Sequence, residues 1–195
     1  MKRLSVFVGV IVVATLALAA GDVGAVTSAG PYYANPAWSQ QLDCSSSSSC
    51  PRFVVLSNWV DADHPTGGAA VLDRETGLVW EQSPSTSEKS WVQALQHCMA
   101  RSVGNRRGWR LPTVQELASL IDPSVPNPGP ILPAGHPFSN VRSGTFDEYW
   151  SVTTDPLSRD FAWTLSFRDG VMTLSDRFGL SFVWCVRGGQ GVDRW

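Results

Sequence analysis

The first hydrophobic block of the chain runs from Leu4 to Ala20, broken only by Ser5, Gly9 and Thr15, and it follows Lys2 and Arg3. A short basic start, an apolar stretch and small residues after it describe a secretory signal peptide. Ala17-Leu18-Ala19 fits an A-x-A cleavage site, and Val23-Gly24-Ala25 is a second candidate. The sequence therefore predicts a signal peptide over 1–25. The competing reading is an uncleaved anchor, for which the run is at the short edge of the roughly 17–25 residues a spanning helix needs. Residues 26–52 show no periodicity and hold Pro31, Pro36, Pro51 and the serine run Ser45 to Ser49, so they read as an irregular N-terminal arm.

Periodic patterns begin at Phe53-Val54-Val55-Leu56, a short strand candidate rich in branched and aromatic residues. Ala70 to Asp73 and Leu78 to Glu81 flank Arg74-Glu75-Thr76-Gly77 as a β-hairpin, with Gly77 available for a positive φ. Trp91, Ala94, Leu95 and Cys98 recur at i, i+3, i+4 and i+7, one helical stripe. Ser85 or Ser87 is the expected cap, Ser85-x-x-Glu88 suiting a capping box. A second helix follows Thr113-Val114-Gln115-Glu116, a clearer capping box, with Leu117, Leu120 and Ile121 as its buried stripe.

From Asp122 to about Asp147 periodicity disappears, and six prolines punctuate a long loop of the kind that is often functional or disordered. The chain then turns strongly β. Tyr149 to Thr154 is one strand, and Phe161, Trp163, Leu165 and Phe167 form the expected inner face of another. Arg168-Asp169-Gly170 turns into Val171 to Ser175. Leu180 to Arg187 is the last strand, with Phe182, Trp184 and Val186 on one face and Cys185 on the other. The order of strands, two helices, a long loop and more strands predicts an α+β domain with a mostly antiparallel sheet.

Composition sharpens this picture. The chain has 195 residues, is 43% hydrophobic and only 16% charged, and carries a formal net charge of −2. That is enough apolar content for a core and too little positive charge for a binder of nucleic acid held by phosphate contacts. With export expected, Cys44, Cys50, Cys98 and Cys185 are an even set for which disulfides are the default. Four cysteines allow three pairings. A flexible serine loop between Cys44 and Cys50, and a helix and a last strand carrying Cys98 and Cys185, favour Cys44–Cys50 with Cys98–Cys185. A cysteine-based metal site has no support, because no C-x-x-C or Cys/His zinc spacing is present and His64, His97 and His136 are scattered.

Several stretches, in order, resemble a known family: Asp73 to Trp80, Trp91 to Cys98, Gly108-Trp109-Arg110-Leu111-Pro112-Thr113 with Glu116-Leu117, Tyr149-Trp150-Ser151, and Cys185-Val186-Arg187-Gly188. Together they resemble the Lcl C-terminal domain family, a bacterial domain of unknown function, over roughly 53–191, leaving 192–195 as a tail. The resemblance implies a C-type-lectin-like fold, two helices packed on a mostly antiparallel sheet with a long loop. It also implies a disulfide from the first helix to the last strand. The collagen-like adhesin that names the family is associated with sulfated polysaccharides. No Gly-x-y repeat is present here, so that protein's trimerising stalk is not expected.

Most motif residues read as structural. Trp109, Leu111 and Pro112 lead into the second helix, and Trp80, Trp91, Trp150, Trp163 and Trp184 fall on faces that read as core. Arg110 and Arg187 suit loop-bracing hydrogen bonds. In C-type-lectin-like folds the long loop and the strands after it commonly carry the ligand site. The candidate ligand-binding residues are therefore Arg142, Asp147, Glu148, Asp155, Arg159, Asp160 and Arg168, with Arg177 as a further arginine. The arginines suit sulfate or carboxylate groups. Asp147, Glu148, Asp155 and Asp160 are candidate oxygen ligands for calcium, the one cofactor considered, although solvated turn carboxylates are the simpler reading.

No G-x-S-x-G elbow, H-E-x-x-H or P-loop occurs, and the formylglycine-generating enzymes of the same broad fold need a cysteine that the two expected disulfides consume. The expectation is an exported, non-enzymatic recognition module, periplasmic or secreted, for an extracellular or cell-envelope polysaccharide. It would bind no nucleic acid and would have no membrane span once the signal peptide is removed. The alternatives are a structural or protein-interaction domain of the cell envelope, with an envelope protein as partner, and an uncharacterised hydrolase.

Overall fold

A computed structural model describes residues 42, 44 and 49–188. The predicted signal peptide, most of the arm and the tail lie outside the described residues. The strands are β1 (Phe53–Val55), β2 (Ala70–Asp73), β3 (Val79–Glu81), β4 (Trp109–Arg110), β5 (Tyr149–Thr154), β6 (Phe161–Leu165), β7 (Met172–Asp176) and β8 (Val186–Arg187). The helices are α1 (Trp91–Ala100) and α2 (Val114–Ala118). The architecture is α+β. No helix among the described residues is long and apolar enough to cross a membrane.

There are two antiparallel sheets rather than one. The first has the order β1-β2-β3-β8-β4 and the second β5-β6-β7. Outside the named strands, a single bridge between Tyr149 and Phe182 joins the start of β5 to the chain approaching β8. The expected last strand, 180–187, shrinks to Val186 and Arg187 because the groups ahead of it bond elsewhere. The Val183 carbonyl accepts from Ser85 N, the Cys185 carbonyl from Glu81 N, and Cys185 N donates to the Glu81 carboxylate.

The first sheet is buried on both faces. Val71, Trp80 and Val186 sit opposite one another across β2, β3 and β8. They face a cluster containing Leu78, Leu117, Tyr149, Phe167 and Trp184. Cys185, one position out of phase with Trp184 and Val186, belongs to a second cluster with Trp91, Ala94, Cys98 and Trp109. The alternation along 182–186 thus sorts side chains between two cores, as a period-2 segment must. Cys98–Cys185 and Cys44–Cys50 are the disulfides, and no described cysteine is free.

Local chemistry explains the helices. Thr113 caps α2: its hydroxyl accepts from Glu116 N (3.1 Å) while Glu116 Oε2 accepts from Thr113 N (2.7 Å). The cap of α1 is Ser90, not Ser85 or Ser87, and Ser90 N donates to Gln93 Oε1 (3.1 Å). Ser85 is instead drawn into a local turn, its hydroxyl donating to the Ser87 carbonyl (3.0 Å). Arg110 braces the start of α2 by two bonds to Glu116 (2.7 and 2.6 Å) and one to the Gly188 carbonyl (2.7 Å). Gly77 takes φ 70° in the hairpin, a conformation that favours glycine.

Two expectations change. The 122–147 segment forms no helix or strand, yet it is threaded through the core. Ile131 N donates to the Phe167 carbonyl, and Leu132 and Phe138 are buried, Phe138 lying 4.9 Å from Trp184 between ring centroids. In β6, Ala162 and Thr164 are fully buried, while Phe161 is exposed and Trp163 half-buried. Ala162 packs in the cluster that holds the Trp91 and Trp150 indoles, where a small side chain suits two large neighbours. The expected inner face of that strand therefore holds only from Leu165 onward.

Candidate functional site

The segment 142–147 builds a ridge beside β5. The Gly144 carbonyl accepts from Asp147 N (3.3 Å) and the Asp147 carboxylate accepts from Gly144 N (2.7 Å), closing a tight turn. Thr145 and Phe146 lie at its tip, and Phe146 is 90% exposed, rare for a phenylalanine. Arg168 Nη1 donates to the Thr145 hydroxyl (3.1 Å), which fixes a guanidinium at the same tip. The Arg168 carbonyl accepts from Gly129 N (2.8 Å), and Ser143 Oγ donates to the Gly129 carbonyl (3.1 Å), so the proline-rich loop underpins the ridge. Arg142 is exposed, its backbone N–H donating to Tyr149 Oη (2.6 Å) and its guanidinium lying 5.8 Å from the Phe182 ring.

The predicted site residues divide between four places. Arg142, Asp147 and Arg168 belong to the ridge. Glu148 faces β6 and β7, where its carboxylate accepts from Thr164 Oγ1 (2.7 Å), Thr173 Oγ1 (2.7 Å) and Ser175 Oγ (2.9 Å). Arg159 and Asp160 line a separate recess of about 360 Å³ with Ser90, Val92, Arg177 and Phe178. Arg177 there stacks 3.6 Å from the Trp91 ring centroid and donates to the Arg159 carbonyl (2.6 Å). Asp155 accepts from Leu157 N (3.0 Å) in its own turn. Among the described residues, no three of the four candidate calcium carboxylates bring ligand atoms together.

Sequence reasoning missed a second constellation. Asp61, His64, Glu81, His97 and Arg101 come from three stretches with no characteristic spacing, and the fold gathers them at a polar groove of about 380 Å³. The walls include Asp63 and His64 on one loop, Ser83 to Thr86 on another, and Asn140. Arg101, the C-cap of α1, donates from Nε to Glu81 Oε1 and from Nη2 to Asp61 Oδ2 (3.1 Å). His64 Nδ1 lies 3.1 Å from Asp61 Oδ1 and Nε2 lies 3.0 Å from Gln82 Oε1.

Burial governs the electrostatics here. It pushes the Glu81 carboxyl above its ordinary range, with the Arg101 charge and the Cys185 N–H pulling back. Burial would also raise Asp61, but hydrogen bonds from His64 and the charges of His64 and Arg101 outweigh it and the net direction is downward. Burial lowers His97 to about 4, helped by the charges of Lys89 and Arg101, so its imidazole is neutral at neutral pH.

Residues 69–187, more than half of the chain, match the family model described as the Lcl C-terminal domain. Phe53 to Val55 precede the matched span but pair with β2 in the same sheet. No curated protein matches the chain.

Proposed function

Starting from the chain's membership of the Lcl C-terminal domain family, we propose that it is an exported, non-enzymatic recognition module of C-type-lectin-like fold that binds acidic polysaccharide at the 142–147 ridge. The observation that carries this reading is Phe146, fully presented at a turn whose neighbouring residue is held by Arg168. An exposed ring offers a flat apolar surface to the C–H face of a sugar. Arginine is the side chain best matched to sulfate and carboxylate, through paired N–H donors. Arg142 and Arg168 bracket the ring along the chain and supply that chemistry. The two disulfides suit an oxidising compartment and support the exported part of the reading.

A glycan array probed with the oxidised mature protein, with and without calcium and at low and raised salt, tests it. Salt-sensitive binding to sulfated or uronic-acid glycans is the expected result. A blank array from folded protein would favour the protein-interaction alternative. That alternative draws on the recess beside α1, where Phe178 is 84% exposed.

A further inference from the structure

The polar groove is not used by the reading above, yet it has the make-up of a ligand site. Its volume of about 380 Å³ lies within the roughly 300–1,000 Å³ of small-ligand pockets. Its floor is rigid, because Arg101 is held by Glu81 and Asp61, and Glu81 in turn by Cys185 N. Several groups that line it have hydrogen-bonding capacity left over among the described residues. Arg101 Nη1, the Asp63 carboxylate, the Thr86 hydroxyl, the His97 ring nitrogens and Asn140 Oδ1 make no hydrogen bond there, while Asn140 Nδ2 is used on Ser83 Oγ (3.0 Å).

The charge pattern selects the ligand. The guanidinium of Arg101 is paired with both Asp61 and Glu81, and the Asp63 carboxylate also lines the groove, so a sulfate or carboxylate would meet net repulsion. A metal ion fits no better. Glu81, His97 and Cys185 do place ligand atoms within 4.8 Å of one another, but the Cys185 sulfur is bonded to Cys98, and the nearby charges of Lys89 and Arg101 would repel a cation at His97. Mixed donors and acceptors, with a carboxylate lining that disfavours anions, match hydroxyl and amide groups.

We propose that this groove binds an uncharged sugar unit, and that it continues the ridge, from which Asn140 is separated by Val141 alone. The inference rests on the ridge reading for the acidic units of the polymer. The ligand class is then a polysaccharide in which acidic and neutral residues alternate, the acidic ones on Arg142 and Arg168 and the neutral ones in the groove.

The test uses the oxidised full chain and two probes: free N-acetylglucosamine, and a hyaluronan octasaccharide in which glucuronate alternates with that sugar. The free sugar should shift the backbone amide resonances of Ser85, Thr86 and Asn140. Thr86→Trp, which fills the exposed groove wall, should weaken octasaccharide binding about tenfold with an unchanged melting temperature. Absence of either effect overturns the groove. If Arg168→Ala weakens the octasaccharide and Thr86→Trp does not, the groove fails and the ridge stands. If Thr86→Trp weakens it and Arg168→Ala does not, the ridge fails and the groove stands as a neutral-sugar site. Wild-type protein that responds to neither probe removes both.

Discussion

The Glu81 carboxylate accepts from Arg101 Nε with one oxygen and from Cys185 N (3.0 Å) with the other, so one buried side chain couples β3, the end of α1 and the approach to β8. The same bonds hold the groove floor and lie beside the Cys98–Cys185 bridge. Glu81→Ala strips both donors of their acceptor. It should cost about 3 kcal/mol, the range for hydrogen bonds to a buried charge, and lower the denaturant midpoint in equilibrium unfolding. Glu81→Gln keeps an acceptor and should cost less.

A second buried pair ties the start of the domain to the hairpin. Arg52 donates from Nε to Asp73 Oδ1 (2.8 Å), from Nη2 to Asp73 Oδ2 (2.6 Å), and from Nη2 to the Ser119 carbonyl (2.8 Å). Arg52→Met leaves the Asp73 carboxylate buried without its cation and should destabilise by about 3–5 kcal/mol, read as a fall in melting temperature. Adding Asp73→Leu should recover part of that loss, although Thr76 Oγ1 and Glu75 N then lose their acceptor.

The Cys98–Cys185 bridge closes a separation of 87 residues. By loop-closure entropy it contributes roughly 4–5 kcal/mol. The Cys98→Ala/Cys185→Ala double variant should melt lower by about 10 °C or more, while variants of Cys44 and Cys50, six residues apart, should lose less.

The pH dependence has a sign set by His97. Its folded value, about 4, lies below the ordinary 6.5, so between these values the unfolded chain binds more protons. Stability from this group is complete above pH 6.5 and is lost as pH falls toward 4. Glu81, shifted upward, acts in the opposite direction, and Asp61, shifted downward, acts only below its ordinary 3.8. A His97→Gln comparison isolates the histidine. The stability of wild type relative to the variant should be flat above neutrality and decline steadily from about pH 6.5 downward in urea titrations.

What the sequence made legible was local. The hairpin at Gly77, the Trp91–Cys98 stripe, the Thr113 box and the alternation through Trp184 and Cys185 each depend on neighbours a few positions apart. The cap of α1 falls at Ser90 rather than at Ser85 or Ser87 because several serines compete within one stretch, and Glu88 completes a plausible box with Ser85. The inner face of β6 departs from the expected one because side-chain volume, not hydrophobicity, decides which residue fits the cluster that holds Trp91 and Trp150. Asp61, Glu81, His97 and Arg101 carry no shared spacing, so only the tertiary fold reveals the groove. Phe146 stood in an aperiodic loop, where the sequence holds no signal for exposure.

The most direct test of the account is calorimetric titration of the oxidised protein with a sulfated heparin hexasaccharide at low and raised salt. The ridge predicts binding that weakens as salt rises, and an affinity loss of about tenfold, or ~1.4 kcal/mol, for Phe146→Ala and again for Arg168→Ala, with melting temperatures unchanged. No binding by folded wild-type protein, or binding that neither salt nor the two variants affect, would contradict it.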